Sequence, residues 1–139
     1  MPMPPALRLA YQLALQEALA AERRGELAVA FVQLERAHIL GQRYLWPHIV
    51  THGAMLRIGW RRRDAREVAG QLLRLLATLP GWLSGWVPKG NPGGADVSAL
   101  KPMPVPADLQ PLLADYSVGR DVVRRLALYG ALAWLAANL

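Results

Sequence analysis

Hydrophobic residues recur at helical spacing along most of the chain, and this pattern predicts six helical segments. Apolar residues three and four positions apart mark one face of a helix. The predicted segments cover residues 5–24, 26–40, 47–61, 64–79, 107–114 and 117–137. Short turns join the first four, so they form antiparallel helical hairpins. The predicted fold class is all-α, a single domain over residues 1–139 with a four-helix core over residues 1–79.

Residues at the ends of these segments support the boundaries. Gly25 and Gly41 follow helical patterns as C-terminal stops, and Pro47 suits the first turn of the third helix. Asp64 and Ser117 are predicted N-caps of the fourth and last helices. In the fourth helix, the spacing of apolar residues predicts a buried face made by Val68, Leu72, Leu75, Leu76 and Leu79.

The stretch from residue 80 to residue 106 is rich in proline and glycine and has no helical period. Because it carries Trp82, Trp86 and several aliphatic residues, we expect an ordered loop packed on the helices. Its segment Lys89–Ala95 reads as a cluster of turns, since it lacks the ending of a nucleotide-binding loop. The role of that segment stays open.

The last helix, within residues 107–139, is apolar on almost every side. This predicts that it packs into the bundle or forms a homo-oligomer, such as a homodimer, with a second copy of the chain. A different protein partner is also compatible with the pattern.

Composition narrows the class of protein. Hydrophobic residues make up 53% and charged residues 19%, which indicates a folded globular chain, and there is no cysteine to form disulfides or thiolate sites. The net charge of +6 does not predict nucleic-acid binding, because the only basic run, residues 61–63, is followed by Asp64 and Glu67. No uncharged stretch is long enough to span a membrane, and no secretory signal is visible, so we expect a cytoplasmic protein.

The three histidines lie within one short region around the second predicted turn. Glu35 and His38 are three residues apart, and His48 and His52 are four apart, so each pair shares a helix face. In an antiparallel hairpin the two pairs reach matching heights. We therefore predict a site formed by Glu35, His38, His48 and His52 for a divalent transition metal: zinc, iron, copper or nickel. The alternative is that these side chains cap helices and form ordinary hydrogen bonds.

Two stretches of the sequence resemble known protein families. The run LERAHILGQRYLWPHIVTHGAMLRIGWRRRDAREVAGQLLRL, followed by VPKGNPGGADVSALKPMPVPADL, resembles a family of short bacterial proteins of unknown function, over about residues 10–113. Its motifs are H-x-L-G-Q, H-x-x-x-H and P-x-G-N-x-G-G-A. The segment AERRGELAVAFVQLERAHILG resembles one tetratricopeptide-like repeat, although an antiparallel bundle fits the same pattern. The family resemblance implies no established activity.

Two functional hypotheses follow from the sequence. One is a small helical metal-binding protein that uses the metal in catalysis or sensing. The other is a helical-repeat interaction or dimerisation module without a metal. Serine and threonine residues lack a histidine at a spacing suited to nucleophilic catalysis, so whether the protein is an enzyme stays open.

Overall fold

The chain folds into antiparallel helices. A computed structural model describes residues 2–138, and over that range there are five α-helices, one short 3₁₀-helix and no strand. The bounds are Pro5–Arg23 (α1), Leu27–Gly41 (α2), Leu45–Arg61 (α3), Ala65–Ser84 (α4), Gln110–Leu113 (3₁₀) and Val118–Ala137 (α5). The prediction of an all-α fold is confirmed.

Neighbouring helices in the chain pack against each other: α1 on α2, α2 on α3, and α3 on α4. Small residues dominate one of the two core clusters, which lets the helix backbones approach closely; its members are Ala18, Ala21, Ala30, Leu34, Ala54, Met55 and Ile58. The other cluster joins α1 and α2 to the segment around the 3₁₀-helix, through residues such as Leu7, Tyr11, Leu40, Leu109 and Tyr116.

Two predicted boundaries around the second turn need correction. Helix α3 begins at Leu45 instead of Pro47, and Pro47 still lies in the first turn, where its missing N–H costs nothing. Gly41 is the last residue of α2, but its role is in packing. A Cβ at this position would lie 2.8 Å from Cε2 of Tyr11, so the absent side chain makes room for the tyrosine ring.

Helix α4 continues through Pro80, although the sequence predicted that it ends at residue 79. It ends at Ser84, followed by Gly85 in the left-handed conformation with φ of 76°. The extra turn is held by α5: the Tyr129 hydroxyl donates to the Leu83 carbonyl over 2.7 Å, and Arg125 lies 4.2 Å from the centre of the Trp82 ring. These contacts offset the backbone hydrogen bond that proline cannot make.

The buried face of α4 is polar, which corrects the predicted leucine face. Leu72, Leu76 and Leu79 are 50%, 76% and 51% exposed. The buried residues of the helix are instead Glu67, Gln71 and Thr78. They lie on one stripe, because they are four and seven residues apart. Helix α4 therefore turns hydrogen-bonding side chains toward the inside of the bundle.

The segment after α4 contacts α2, α4 and the 3₁₀-helix, and specific hydrogen bonds pin it there. Val87 and Asn91 are buried, whereas Trp86 is 49% exposed, so the burial expected for this tryptophan is not found. Lys89 donates to the carbonyls of Leu113 and Tyr116, each over 2.8 Å. The helix predicted at residues 107–114 is only the four-residue 3₁₀-helix, which contains a proline.

Helix α5 has no buried residue and meets the rest of the chain mainly at the end of α4. Its first turn is tied down by Asp121, which accepts two hydrogen bonds of 2.7 Å from Arg43. Ser117 caps the helix as predicted, accepting from the Arg120 amide. The expectation that α5 fills the bundle core is wrong for the single chain. Association with another chain stays a prediction.

Candidate metal centre

Three buried histidines meet between α2 and α3. His38 lies one turn before the end of α2, and the short turn to α3 brings it beside His48 and His52, which share one face of α3. Their exposed fractions are only 3%, 8% and 2%. Their ring centres are 4.6 to 4.8 Å apart. Among residues 2–138 these three form the one group of potential ligands close enough to hold a metal ion.

The same nitrogen atom of each ring points into the cluster. His52 Nε2 lies 3.1 Å from His38 Nε2 and 3.0 Å from His48 Nε2. Nitrogen ligands bound at about 2.1 Å, at angles between about 90° and 110°, lie about 2.9–3.4 Å apart. The two spacings therefore match those of imidazoles that share one ion.

Hydrogen bonds at the far side of two rings fix their tautomers. His38 Nδ1 lies 2.8 Å from the Asn91 carbonyl oxygen, which can only accept, so Nδ1 carries the proton. His52 Nδ1 lies 2.6 Å from Gln71 Oε1 and donates to it in the same way. In the neutral rings, Nε2 of both histidines is then left with a free lone pair, which is the atom that binds metals.

The amide of Gln71 is itself oriented by two acceptors. Its Nε2 donates to Glu67 Oε1 over 2.6 Å and to the Gly93 carbonyl over 2.9 Å. Its Oε1 must therefore face His52. The other oxygen of Glu67 accepts from the Ala95 amide over 3.0 Å. A chain of hydrogen bonds thus runs from a buried carboxylate through an amide to the imidazole, an arrangement common around metal-binding histidines.

His48 is held differently. Its Nδ1 is buried and has no hydrogen-bond partner among the described residues. The hydrogen-bonding contact of this side chain within residues 2–138 is at the other side of the ring, where Nε2 lies 3.0 Å from His52 Nε2. A buried nitrogen without a partner is uncommon in a folded protein and costs about 1–3 kcal/mol.

All three imidazoles are neutral at physiological pH. Burial lowers the pKa of His48 from 6.5 to about 3 and the pKa of His52 to about 4. Burial, together with the two neighbouring rings, lowers the pKa of His38 well below 6.5. The neutral form is the one that coordinates a metal.

Glu35, the fourth residue that the sequence placed in this site, lies outside the group of histidines. It is half-buried, and burial, Asp96 and Glu67 raise the pKa of its carboxyl group. Gly94 of the loop lies against it: a Cβ there would be 3.6 Å from Glu35 Oε1. The site residues that sequence reasoning missed are Gln71, Asn91, Glu67 and Gly93.

The loop approaches the His38 ring so closely that a glycine is required at position 93. Gly93 has φ of 87°, and a Cβ there would lie 2.8 to 2.9 Å from three atoms of the His38 ring. Only glycine fits both the conformation and the space. The motif N-x-G-G could have signalled this, since adjacent glycines often mark a backbone pressed against another group.

A cavity of about 430 Å³ borders the cluster. All three histidines line it, along with Arg74 and Thr78 of α4 and the segment after that helix. Several residues that line it are exposed to solvent, among them Ala77, Ala99 and Leu100. The buried cluster is therefore reachable from the surface.

The fold and site define a class: a small all-helical protein with a buried three-histidine cluster beside an open cavity. The chain belongs to the DUF3703 family, a family of proteins of unknown function whose model matches residues 5–113. Helix α5 lies beyond the matched part, whereas all the residues around the histidines lie within it. No curated protein and no solved structure matches the chain. No helix within residues 2–138 is long and apolar enough to cross a membrane.

Proposed function

We propose that this protein binds a transition-metal ion through Nε2 of His38, His48 and His52. The main observation behind this proposal is that Nε2 of His38 and Nε2 of His52, each with a free lone pair, face each other at 3.1 Å. Both Nδ1 protons are committed to acceptors, so neither ring can donate to the other. Two lone pairs at this distance repel, and a cation between them turns the repulsion into coordination.

Other features of the site support the same proposal. Burial keeps the imidazoles neutral, and hydrogen bonds to Asn91 and Gln71 orient His38 and His52, which lowers the cost of assembling the ligands. Neutral imidazoles suit zinc, copper, iron and nickel. A structural role alone accounts poorly for His48, because its Nδ1 has no partner among the described residues.

The test is a titration of protein purified without a histidine tag. Zinc, iron(II), copper and nickel are added to metal-free protein, and binding is followed by calorimetry and native mass spectrometry. We expect one ion per chain for at least one of the four. His48→Gln is the sharpest variant, because the one hydrogen-bonding contact that it removes lies within the cluster, between Nε2 of His48 and Nε2 of His52. It should reduce affinity at least tenfold.

Two controls define the ligand set. Glu35→Gln should retain most of the affinity, because Glu35 lies outside the group of histidines. Asp96→Ala, on the exposed loop, should behave as the wild type. Circular dichroism checks that each variant is folded. If none of the four metals binds stoichiometrically to folded protein, the proposal is wrong.

The second candidate function is association with another chain. Five leucines of α4 are exposed by 42% to 76%, namely Leu72, Leu73, Leu76, Leu79 and Leu83, and α5 has no buried residue. An apolar surface of this kind is common at interfaces. Sedimentation of the wild type and of Leu72→Glu/Leu76→Glu tests it: a dimer that dissociates in the double variant supports association, and a wild-type monomer contradicts self-association.

A further inference from the structure

The cavity beside the histidines is large enough for more than water. Its volume is about 430 Å³, whereas one water molecule occupies about 30 Å³ in the liquid. Three imidazoles also leave at least one coordination position of a metal ion free for another ligand. Because all three histidines line the cavity, a molecule inside it can reach an ion that they hold.

The wall of this cavity is mainly apolar. Pro80, Trp86, Val87 and Leu100 contribute to it. No aspartate or glutamate among residues 2–138 lines it, whereas Arg74 does. The cavity thus combines an apolar surface with a single cationic side chain.

Charge determines what kind of ligand fits. Three neutral imidazoles leave the full charge of a divalent ion uncompensated, and an uncompensated charge in a buried site is costly. The nearest buried carboxylate on α4, Glu67, is already engaged by Gln71 and by the Ala95 amide. Glu67 keeps its negative charge, but one carboxylate does not balance a divalent ion together with the charge of Arg74, so a further anion in the cavity is favoured.

We infer that the cavity binds a small organic carboxylate as the further ligand of the metal. The carboxylate group coordinates the ion, and the apolar body lies against Trp86, Val87 and Leu100. A halide or hydroxide would balance the charge but leave the apolar wall uncovered. This inference rests on the proposed metal site and specifies its ligand.

Cobalt(II)-loaded protein tests it, because the visible spectrum of cobalt reports changes in coordination. Acetate and butanoate are titrated separately. We expect a saturable spectral change with both, and about tenfold tighter binding of butanoate, since it places two more CH₂ groups on the apolar wall. Gel filtration followed by metal analysis checks that the ion stays bound.

A matched pair of variants locates the ligand. Ala77→Trp narrows the cavity mouth and should weaken butanoate binding at least tenfold. Ala69→Trp makes the same change at an exposed alanine of the same helix that does not line the cavity, and should leave binding unchanged.

The outcomes separate the two proposals. Stoichiometric cobalt binding with a spectrum that neither carboxylate changes would overturn the ligand proposal alone. So would equal affinities of acetate and butanoate, equal effects of the two variants, or removal of the ion by the carboxylate. Failure of cobalt and the four other metals to bind would instead overturn the metal site itself.

Discussion

His52 Nδ1 donates a 2.6 Å hydrogen bond to Gln71 Oε1, and this contact decides which nitrogen of the ring faces the cluster. Gln71 cannot turn its amide around, because its Nε2 already donates to Glu67 and to the Gly93 carbonyl. A side chain of α4 thereby sets the chemistry of a histidine on α3. The loop takes part as well, since it supplies one of the acceptors that orient the amide.

Gln71→Leu tests this relationship. The substitution keeps the approximate size of the side chain but removes the acceptor of His52 and the donor of Glu67. Loss of such an outer partner typically weakens metal binding about 10- to 100-fold. The buried groups left unpaired should also lower the free energy of unfolding by about 1–3 kcal/mol.

The matched control is Leu72→Ala, at the adjacent, exposed position of α4. It should change metal affinity little, as measured by the same titration. Equal affinities of Gln71→Leu and wild type would show that the orientation of His52 does not depend on the amide.

Gly93→Ala should damage the site through the backbone. The new Cβ would meet the His38 ring at 2.8 to 2.9 Å, and the residue would have to keep φ of 87°. We expect a loss of more than about 1 kcal/mol in the free energy of unfolding, and weaker metal binding because His38 is displaced. Chemical denaturation and metal titration measure the two effects.

Gly53→Ala is the matched control, because the same substitution at this position should stabilise the protein. Gly53 lies inside α3, and a Cβ there meets nothing within 4 Å. Alanine in a helix interior should stabilise the protein by about 0.5–1 kcal/mol. If both substitutions had the same effect, the close contact at Gly93 would not explain the result.

The histidines were predictable from the sequence because their pattern depends on helix geometry alone. The spacing of four residues between His48 and His52, together with the short turn after His38, predicts that the three rings approach each other. Glu35 lies on α2 three residues before His38, yet outside the group of histidines. Three residues of helix turn a side chain about 60° away from His38, and matching heights along two helices do not reveal this rotation.

The polar face of α4 was not predictable in the same way. Its leucines have the stronger apolar period, yet Glu67, Gln71 and Thr78 are buried. Polar side chains can be buried when their partners are present, and the segment after α4 supplies two of them: the Gly93 carbonyl for Gln71 and the Ala95 amide for Glu67. Arg74 also donates to the carbonyls of Gly94 and Val97. That segment has no periodic pattern of apolar residues, so its path could not be predicted from the sequence.

The stability of the metal-free protein should fall as the pH decreases from 7 to 5. Unfolded histidine has a pKa near 6.5, while His48 and His52 have folded-state pKa values of about 3 and about 4. Below pH 6.5 the unfolded chain binds more protons, so acid favours unfolding. For His52 alone the full effect is about 3 kcal/mol, complete only near pH 4.

Denaturation at pH 5, 6 and 7 in the Glu35→Gln background measures this dependence. Glu35 is replaced because its raised pKa acts in the opposite direction: its protonation stabilises the fold as the pH falls toward its pKa. His48→Gln, compared in the same background, should show a shallower dependence. Stability that is flat from pH 5 to 7 would contradict neutral, buried histidines.

Helix α5 should be dispensable for metal binding. It contributes no residue to the cluster or to the cavity beside it, and the family match ends before it. Its attachment depends largely on Arg43 with Asp121 and on Tyr129 with Leu83. Such a helix opens more easily than the packed core. Hydrogen exchange should therefore be faster in α5 than in α2 and α3.

A chain truncated after Tyr116 tests directly whether metal binding is independent of α5. It retains the core residues Leu109, Leu113 and Tyr116, and it should bind metal with an affinity within about threefold of the full chain, a difference of less than about 1 kcal/mol. Some stability should be lost, because Arg43 loses its partner at a largely buried position. Loss of metal binding by a truncated chain whose circular dichroism spectrum shows the remaining helices would mean that α5 supports the site, against the contacts described.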